Sequence, residues 1–240
     1  MKHVRAPSAE PPLLAQYRQR YPLEEQRPAH EATAAWEEFK TDKAAYAELL
    51  AKLAEAQQGL CIYCEQRVVD ATGSLVPNDY QVEHVLAKSG AVGRVLDWTN
   101  LSLACTGGTY PHHSDAARFK SGPNKSCGQT KDKAELPPGT DPRGHPLLNA
   151  LIDVGIDGRL AVNAQHCAAA GVSAQEVADA LLLLNLDCDR LRKDRQDRLD
   201  NIREWVVPLL AELLVSTHLG AAQRQQMLGL AIAGRLQRCV

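Results

Sequence analysis

The chain has 240 residues, is 45% hydrophobic and only 5% aromatic, and carries a formal net charge of -2. That balance is ordinary for a globular protein, leaves room for one large domain or a small module with helical additions, and excludes a nucleic-acid binder that works by global positive charge. No segment reaches about 18 uninterrupted apolar residues and none near Met1 resembles a signal peptide, so a cytoplasmic protein with no membrane association is expected.

Residues 1–30 carry Pro7, Pro11, Pro12, Pro22 and Pro28 among polar residues, a density that argues against a long helix and predicts an extended arm. From about His30 to Gln58 the residues Trp36, Phe39, Tyr46, Leu50 and Leu53 recur near helical spacing, with Gly59 where a C-cap belongs. This predicts one amphipathic helix, its aromatic stripe packing against the rest of the chain. Residues 1–58 are thus an arm and a helix.

Residues 59–136 hold the chemistry. Cys61-Ile62-Tyr63-Cys64 reads as a tight knuckle; Arg67–Asp70 and Tyr80–His84 have β character, and Thr99–Ala104 is a third strand candidate. A short helix is expected from Ser126 to Glu135, stopped by Pro137 and Pro138. In residues 137–240 the Asp157-Gly158 pair predicts a hairpin between Leu151–Ile156 and Arg159–Val162, and Ser173 with Glu176 forms a capping box that opens a helix to about Leu184. A longer helix from about Asp189 has an apolar face through Leu191, Leu199, Ile202, Val206, Leu209 and Leu213, should kink or break at Pro208, and is followed by a last helix over Ala221–Arg238.

Seven cysteines in a reducing compartment point to metal or redox chemistry rather than a disulfide framework. Cys61 and Cys64 with Cys105 and Cys127 have the makings of a closed tetrahedral thiolate site for structural zinc. The competing readings are a redox dithiol, which needs a strand-helix context that is absent, and four unrelated buried thiols. Cys167, Cys188 and Cys239 read as packing residues. Between the two pairs lie Glu83-His84 and Asn100. A carboxylate can hold a hard cation that keeps most of its waters, a neutral imidazole can serve as a general base, and an amide can tie a loop. The basic and acidic residues from Gln58 to Glu135 cancel, so phosphate-binding charge must be local or borrowed. Local candidates are Lys131 and Lys133 on the short helix and Arg118, Lys120 and Lys125 in the insert between Cys105 and Cys127. Arg190, Arg192, Lys193, Arg195 and Arg198 alternate with aspartates and read as a salt-bridged solvent face.

The run Cys-x-Tyr-Cys-Glu, Val82-Glu83-His84, Asp97-Trp98-x-Asn100-Leu101, Cys105 and Cys127-Gly128-x-x-Lys131 resembles the HNH (ββα-metal) endonucleases, and within them the PtuB-like branch of bacterial Septu and retron antiphage systems. Trp36, Phe39, the Pro-rich start and Leu184-Asn185-Leu186 with Leu191 and Arg192 extend the resemblance over most of the chain. It implies an α+β protein with a small zinc-stapled ββα-metal module between an N-terminal helix and a mainly helical C-terminal region. It also implies hydrolysis of DNA phosphodiesters with Mg²⁺ or Mn²⁺, and a PtuA-like ABC-type ATPase as partner. His84 falls on the general base, Glu83 on the acidic metal ligand, Asn100 on the structuring asparagine and the four cysteines on the zinc ligands. The second ligand of the catalytic metal falls at or beside Gly128 and Gln129, where the usual His or Asn is missing. Gln129 is then the preferred ligand and His112 or His113 a substitute. The alternative is a catalytically impaired zinc-dependent DNA- or partner-binding subunit of the same kind of complex.

Overall fold

The structure, a computed structural model, describes residues 4, 7–109, 121–144 and 148–215. The chain divides into two compact units, Met1–Gly155 with Leu160–Leu191, and Ile156–Arg159 with Arg192–Val240. Segments 1–58 and 59–136 therefore share one core.

In the first unit, the Pro-rich start is not simply an extended arm. Pro12 occupies the first turn of α1 (Pro12–Arg20), where a missing N–H costs nothing, and Leu14 and Tyr17 are buried. The single helix expected over 30–58 is two, α2 (Ala32–Phe39) and α3 (Lys43–Gln57). The break falls at Asp42, whose side chain accepts from the Ala45 N–H and so caps α3. At the other end Gln58 and Gly59 both take positive φ. A Cβ on Gly59 would lie 2.3 Å from Val69 Cγ2, so both the conformation and the space there require glycine. The aromatic stripe is a core face: Tyr17 meets Phe39 edge-on at 5.0 Å, and Trp36 packs on Phe39 and Tyr46.

Strands β1 (Tyr80–His84) and β2 (Leu101–Cys105) pair antiparallel with Glu83 opposite Ser102 and His84 opposite Leu101. Every residue of β2 is buried, and its other edge is met by a side chain. Gln57 of α3 accepts from the Leu103 N–H at 2.6 Å and donates to the Leu103 carbonyl at 2.8 Å, taking the place of a neighbouring strand. The β character expected at 67–70 amounts to isolated bridges, Leu60 with Arg67 and Val69 with Leu75. The helical turns α4 (Ser121–Asn124) and α5 (Gly128–Lys131) follow; α5 is shorter than the Ser126–Glu135 helix expected.

The hairpin of β3 (Ile152–Val154) and β4 (Leu160–Val162) is present, joined by Gly155–Arg159. Helix α6 (Ala164–Ala170) was not anticipated, although Asn163 caps it and Gly171 ends it in the left-handed region. Helix α7 (Ala174–Leu183) starts at Ser173 as the capping box requires. Helix α8 (Asp189–Val215) begins in the first unit and enters the second.

In the second unit, α8 continues through Pro208 rather than ending there. The turn lies against it: Arg195 donates to the Gly158 carbonyl at 2.6 Å, and a Cβ on Gly158 would fall 2.2 Å from the Arg192 carbonyl oxygen. Ion pairs Lys193–Asp197 and Arg198–Asp194 fit the solvent face expected. Ile202 of the expected apolar face is exposed. The Ala221–Arg238 helix and Cys239 lie outside the described residues.

Candidate functional site

Cys61 and Cys64 leave α3 in one turn, closed by the Cys61 N–H donating to the Gln66 carbonyl at 2.8 Å. Cys105 ends β2 and Cys127 precedes α5. The sulfurs lie 3.9 Å (Cys61–Cys127), 3.7 Å (Cys105–Cys127) and 3.6 Å (Cys64–Cys105) apart, and all four fall within 4.8 Å of one another. A tetrahedron with metal–sulfur bonds of about 2.3 Å has edges of about 3.8 Å. The four side chains can therefore hold a metal ion with little rearrangement. Against its burial, hydrogen bonds from the neighbouring thiols hold Cys61 well below the ordinary thiol range, whereas burial pushes Cys127 well above it. A cation between them would draw off the remaining protons. Cys167 and Cys188 are buried elsewhere.

Arg190, expected on the solvent face, is 5% exposed and belongs to this cluster. Its Nη1 donates to Gln66 Oε1 at 3.0 Å and its Nη2 to Ser126 Oγ at 2.7 Å. Its Nε lies 2.5 Å from where a Gly108 Cβ would be. One guanidinium thus touches the loops that carry Cys64, Cys105 and Cys127, and neither hydrogen-bond acceptor is a carboxylate.

Glu83 and His84 would point to opposite sides of a continuing strand, but β1 ends at His84 and both residues line one cleft. Beyond them the Val85 N–H donates to the Asn100 carbonyl. The Asn100 side chain accepts from the Leu86 N–H at 2.8 Å and donates to the carbonyls of Leu86 at 2.9 Å and Arg94 at 3.3 Å. It thereby ties down the loop that carries Val95. His84 Nε2 is 3.0 Å from the Val95 carbonyl oxygen. A carbonyl only accepts, so the neutral ring carries its proton on Nε2 and presents Nδ1 as the lone pair. Burial lowers the His84 pKa to about 4, against the upward pull of Val95. The ring meets Trp36 of α2 nearly perpendicular, centroids 4.8 Å apart.

Glu83 is held from one side. The Tyr63 hydroxyl donates to its Oε1 at 3.0 Å, and Lys131 Nζ pairs with the same oxygen at 3.0 Å. The Lys131 side chain is fully buried and Nζ also donates to the carbonyls of His84, Asp132 and Ala134. The expectation that Lys131 meets phosphate is therefore corrected: from α5 its ammonium points into the core, where a buried carboxylate needs a counter-charge. Burial raises the Glu83 pKa, with Lys131 and Tyr63 pulling against it. The other carboxylate oxygen, Oε2, lies 2.3 Å from where a Gly128 Cβ would stand, so it packs directly against this glycine and a side chain there would collide with it. Gln129 donates from Nε2 to Gln81 Oε1 at 2.6 Å, which leaves its own carbonyl oxygen uncommitted in that pair.

The cleft measures about 720 Å³ and is lined by Gln81, Glu83, His84, Gly128 and Gln129 together with His30, Thr33, Lys88, Ser89, Lys125, Asp132 and Lys133. Of the predicted residues, Glu83, His84, Gln129, Lys125 and Lys133 come together in it. Asn100 stands behind it, and Arg118, Lys120, His112 and His113 lie outside the described residues. Gln81, Tyr63, Lys88 and the α2 wall were not anticipated. Gln81, two residues before Glu83, shares its face of β1 and was legible from that spacing; Tyr63 carried no signal beyond its place inside the knuckle.

No family model matches the chain. Over 195 residues it is 27% identical to a retron Ec83 protein of Escherichia coli that is named as an HNH endonuclease, covering 70% of this chain and 71% of that one. Among the described residues no helix is long and apolar enough to cross a membrane.

Proposed function

We propose that the chain is a metal-dependent HNH endonuclease that hydrolyses phosphodiester bonds in DNA and serves antiphage defence. The observation that carries this reading is the meeting, in one cleft, of a neutral His84 with Glu83, whose Oε1 accepts from Tyr63 between Cys61 and Cys64 of the four-cysteine cluster and whose Oε2 has no hydrogen-bond partner among the described residues. The retron relative supports the same class. His84 would take the proton from an attacking water at Nδ1 while the Val95 carbonyl keeps the ring oriented through Nε2. Lys88, Lys125 and Lys133 would hold the phosphates that flank the reacting one. A divalent ion at Glu83, Mg²⁺ or Mn²⁺, would supply stabilisation of the charge that develops on phosphate and on the leaving 3′ oxygen. Gln129, whose carbonyl oxygen is uncommitted in its pair with Gln81, offers one amide oxygen in the same cleft as Glu83, enough for a cation that keeps several waters.

The cysteine centre suits zinc by its all-thiolate donor set and tetrahedral edges, and having no open position it serves structure. The net charge of -2 gives little long-range attraction for DNA. This fits an effector subunit that receives its substrate from a partner, for which the Septu-type resemblance nominates a PtuA-like ABC-type ATPase in the cytoplasm.

A plasmid-nicking assay with Mg²⁺ or Mn²⁺, with and without that ATPase, tests the reading on wild-type protein and His84→Ala. Cleavage that requires the ion and falls by at least 100-fold without the imidazole is expected. The second reading, a DNA- or partner-binding subunit with an impaired centre, is favoured by Gly128 and Gln129 standing where the resemblance expects a stronger ligand. Zinc-loaded wild-type protein that binds DNA and never cuts it would establish that reading instead.

A further inference from the structure

We infer that Tyr63 and Lys131 are positioning residues that hold Glu83 by one oxygen and reserve the other for a divalent cation in the cleft. The inference rests on the metal-dependent reading above and assigns to these two residues a role that neither the motif nor the spacing indicated.

Both groups reach Oε1, the hydroxyl of Tyr63 and the ammonium of Lys131 each at 3.0 Å. Among the described residues no hydrogen bond reaches Oε2. Tyr63 is itself completely buried and Lys131 nearly so, so neither group is free to follow the carboxylate elsewhere. Lys131 is fixed further by the carbonyls of His84 and Ala134. Rotation of the Glu83 carboxylate would break a buried ion pair and leave a buried phenol without an acceptor, each a costly outcome. Glu83 lines the cleft, and its Oε2 lies beside Gly128 there. At Gly128 a Cβ would come within 2.3 Å of Oε2 and 2.8 Å of Gln81 Nε2, so any side chain there would displace the carboxylate and the amide that line the cleft. The result is a ligand that can bind through one oxygen only. Such binding suits a small cation that retains most of its hydration, and groups that hydrogen-bond to a ligating carboxylate commonly govern metal affinity by about 10–100-fold.

The test is Mn²⁺ binding to the zinc-loaded full chain without DNA, read from the loss of the free-ion paramagnetic resonance signal. Wild type, Glu83→Gln, Tyr63→Phe and Lys131→Met are compared, with zinc content and circular dichroism as controls for folding. Tyr63→Phe keeps the buried ring and removes only the donor. It is expected to bind Mn²⁺ about 10-fold or more weakly with its zinc retained, and to recover nicking as Mn²⁺ is raised, whereas Glu83→Gln recovers nothing. Wild-type affinity in Tyr63→Phe overturns the inference and leaves the metal-dependent reading standing. Absence of Mn²⁺ binding in wild type, or its persistence in Glu83→Gln, overturns both. Lys131→Met adds a second determination where it folds; where it does not, Tyr63→Phe decides alone.

Discussion

His84 illustrates how far one residue is governed by its surroundings. A free imidazole titrates near 6.5, but burial beside Trp36 lowers this one to about 4. At neutral pH the ring is uncharged and its tautomer is set by the Val95 carbonyl, the state a general base for water must occupy. The same depression carries a stability consequence. Between pH 6.5 and about 4 the unfolded chain binds a proton at this position and the folded chain does not. The contribution is therefore fully present above 6.5 and is lost as pH falls toward 4, by roughly 3 kcal/mol at about 1.4 kcal/mol per pH unit. Glu83 works in the opposite sense, since burial raises its pKa and favours the folded state when protonated. Urea titrations of wild type and His84→Gln, run without added divalent ion from pH 7.5 to 4.5, separate the two. The wild type should lose stability more steeply than the variant below pH 6.5; parallel curves would show that His84 is not held neutral.

At the scale of the element, α8 contributes to the metal centre through its first turn. Arg190 bridges Gln66 and Ser126 and passes beneath Gly108, so three ligand-bearing loops share one side chain. Arg190→Gln should leave buried acceptors short of donors, costing about 1–3 kcal/mol, and should speed extraction of metal by a thiol-competitive chelator several-fold. Extraction at the wild-type rate would show that the loops hold without it. Nothing in the sequence marked this residue, because the alternation of arginine and aspartate along α8 describes the exposed turns correctly and hides the one arginine that faces inward. Its partners lie 64 and 124 residues away. Lys131 was misread for the same reason: its partner Glu83 belongs to another element, and only the pairing of β1, β2 and α5 brings them together. Local signals fared better. The Ser173 cap, the β3–β4 hairpin and the cysteine pairs were legible because each is set by residues close in sequence or by an unusual side chain. The break at Asp42 and the Asn163 cap used equally local signals that the hydrophobic spacing overshadowed.

For the molecule as a whole, the two metal roles proposed above have a consequence that a single site would not. The sheets of the first unit are two-stranded ladders, and a pair of five-residue strands does not hold by itself. The β1–β2 pair is backed by Gln57 of α3 and ends in a cysteine cluster in which Cys61, Cys105 and Cys127 are 1%, 6% and 0% exposed. Structural zinc contributes about 10–16 kcal/mol in small peptides at neutral pH, as much as the entire stability of many domains, about 5–15 kcal/mol. The cation at Glu83, by contrast, would sit in an open cleft with one carboxylate and keep most of its waters, a weak association that costs the fold little when it is broken. Mild chelation should therefore abolish nicking while the near-ultraviolet circular dichroism persists, and added Mg²⁺ should restore activity at once. Stripping the cysteine centre under reducing conditions should abolish both, and Mg²⁺ alone should then restore neither. Recovery should require zinc before Mg²⁺, with the dichroism returning at the zinc step and cleavage only after the second. Recovery of cleavage by Mg²⁺ while the cysteine site remains empty would mean that the four thiols do not hold up the catalytic cleft.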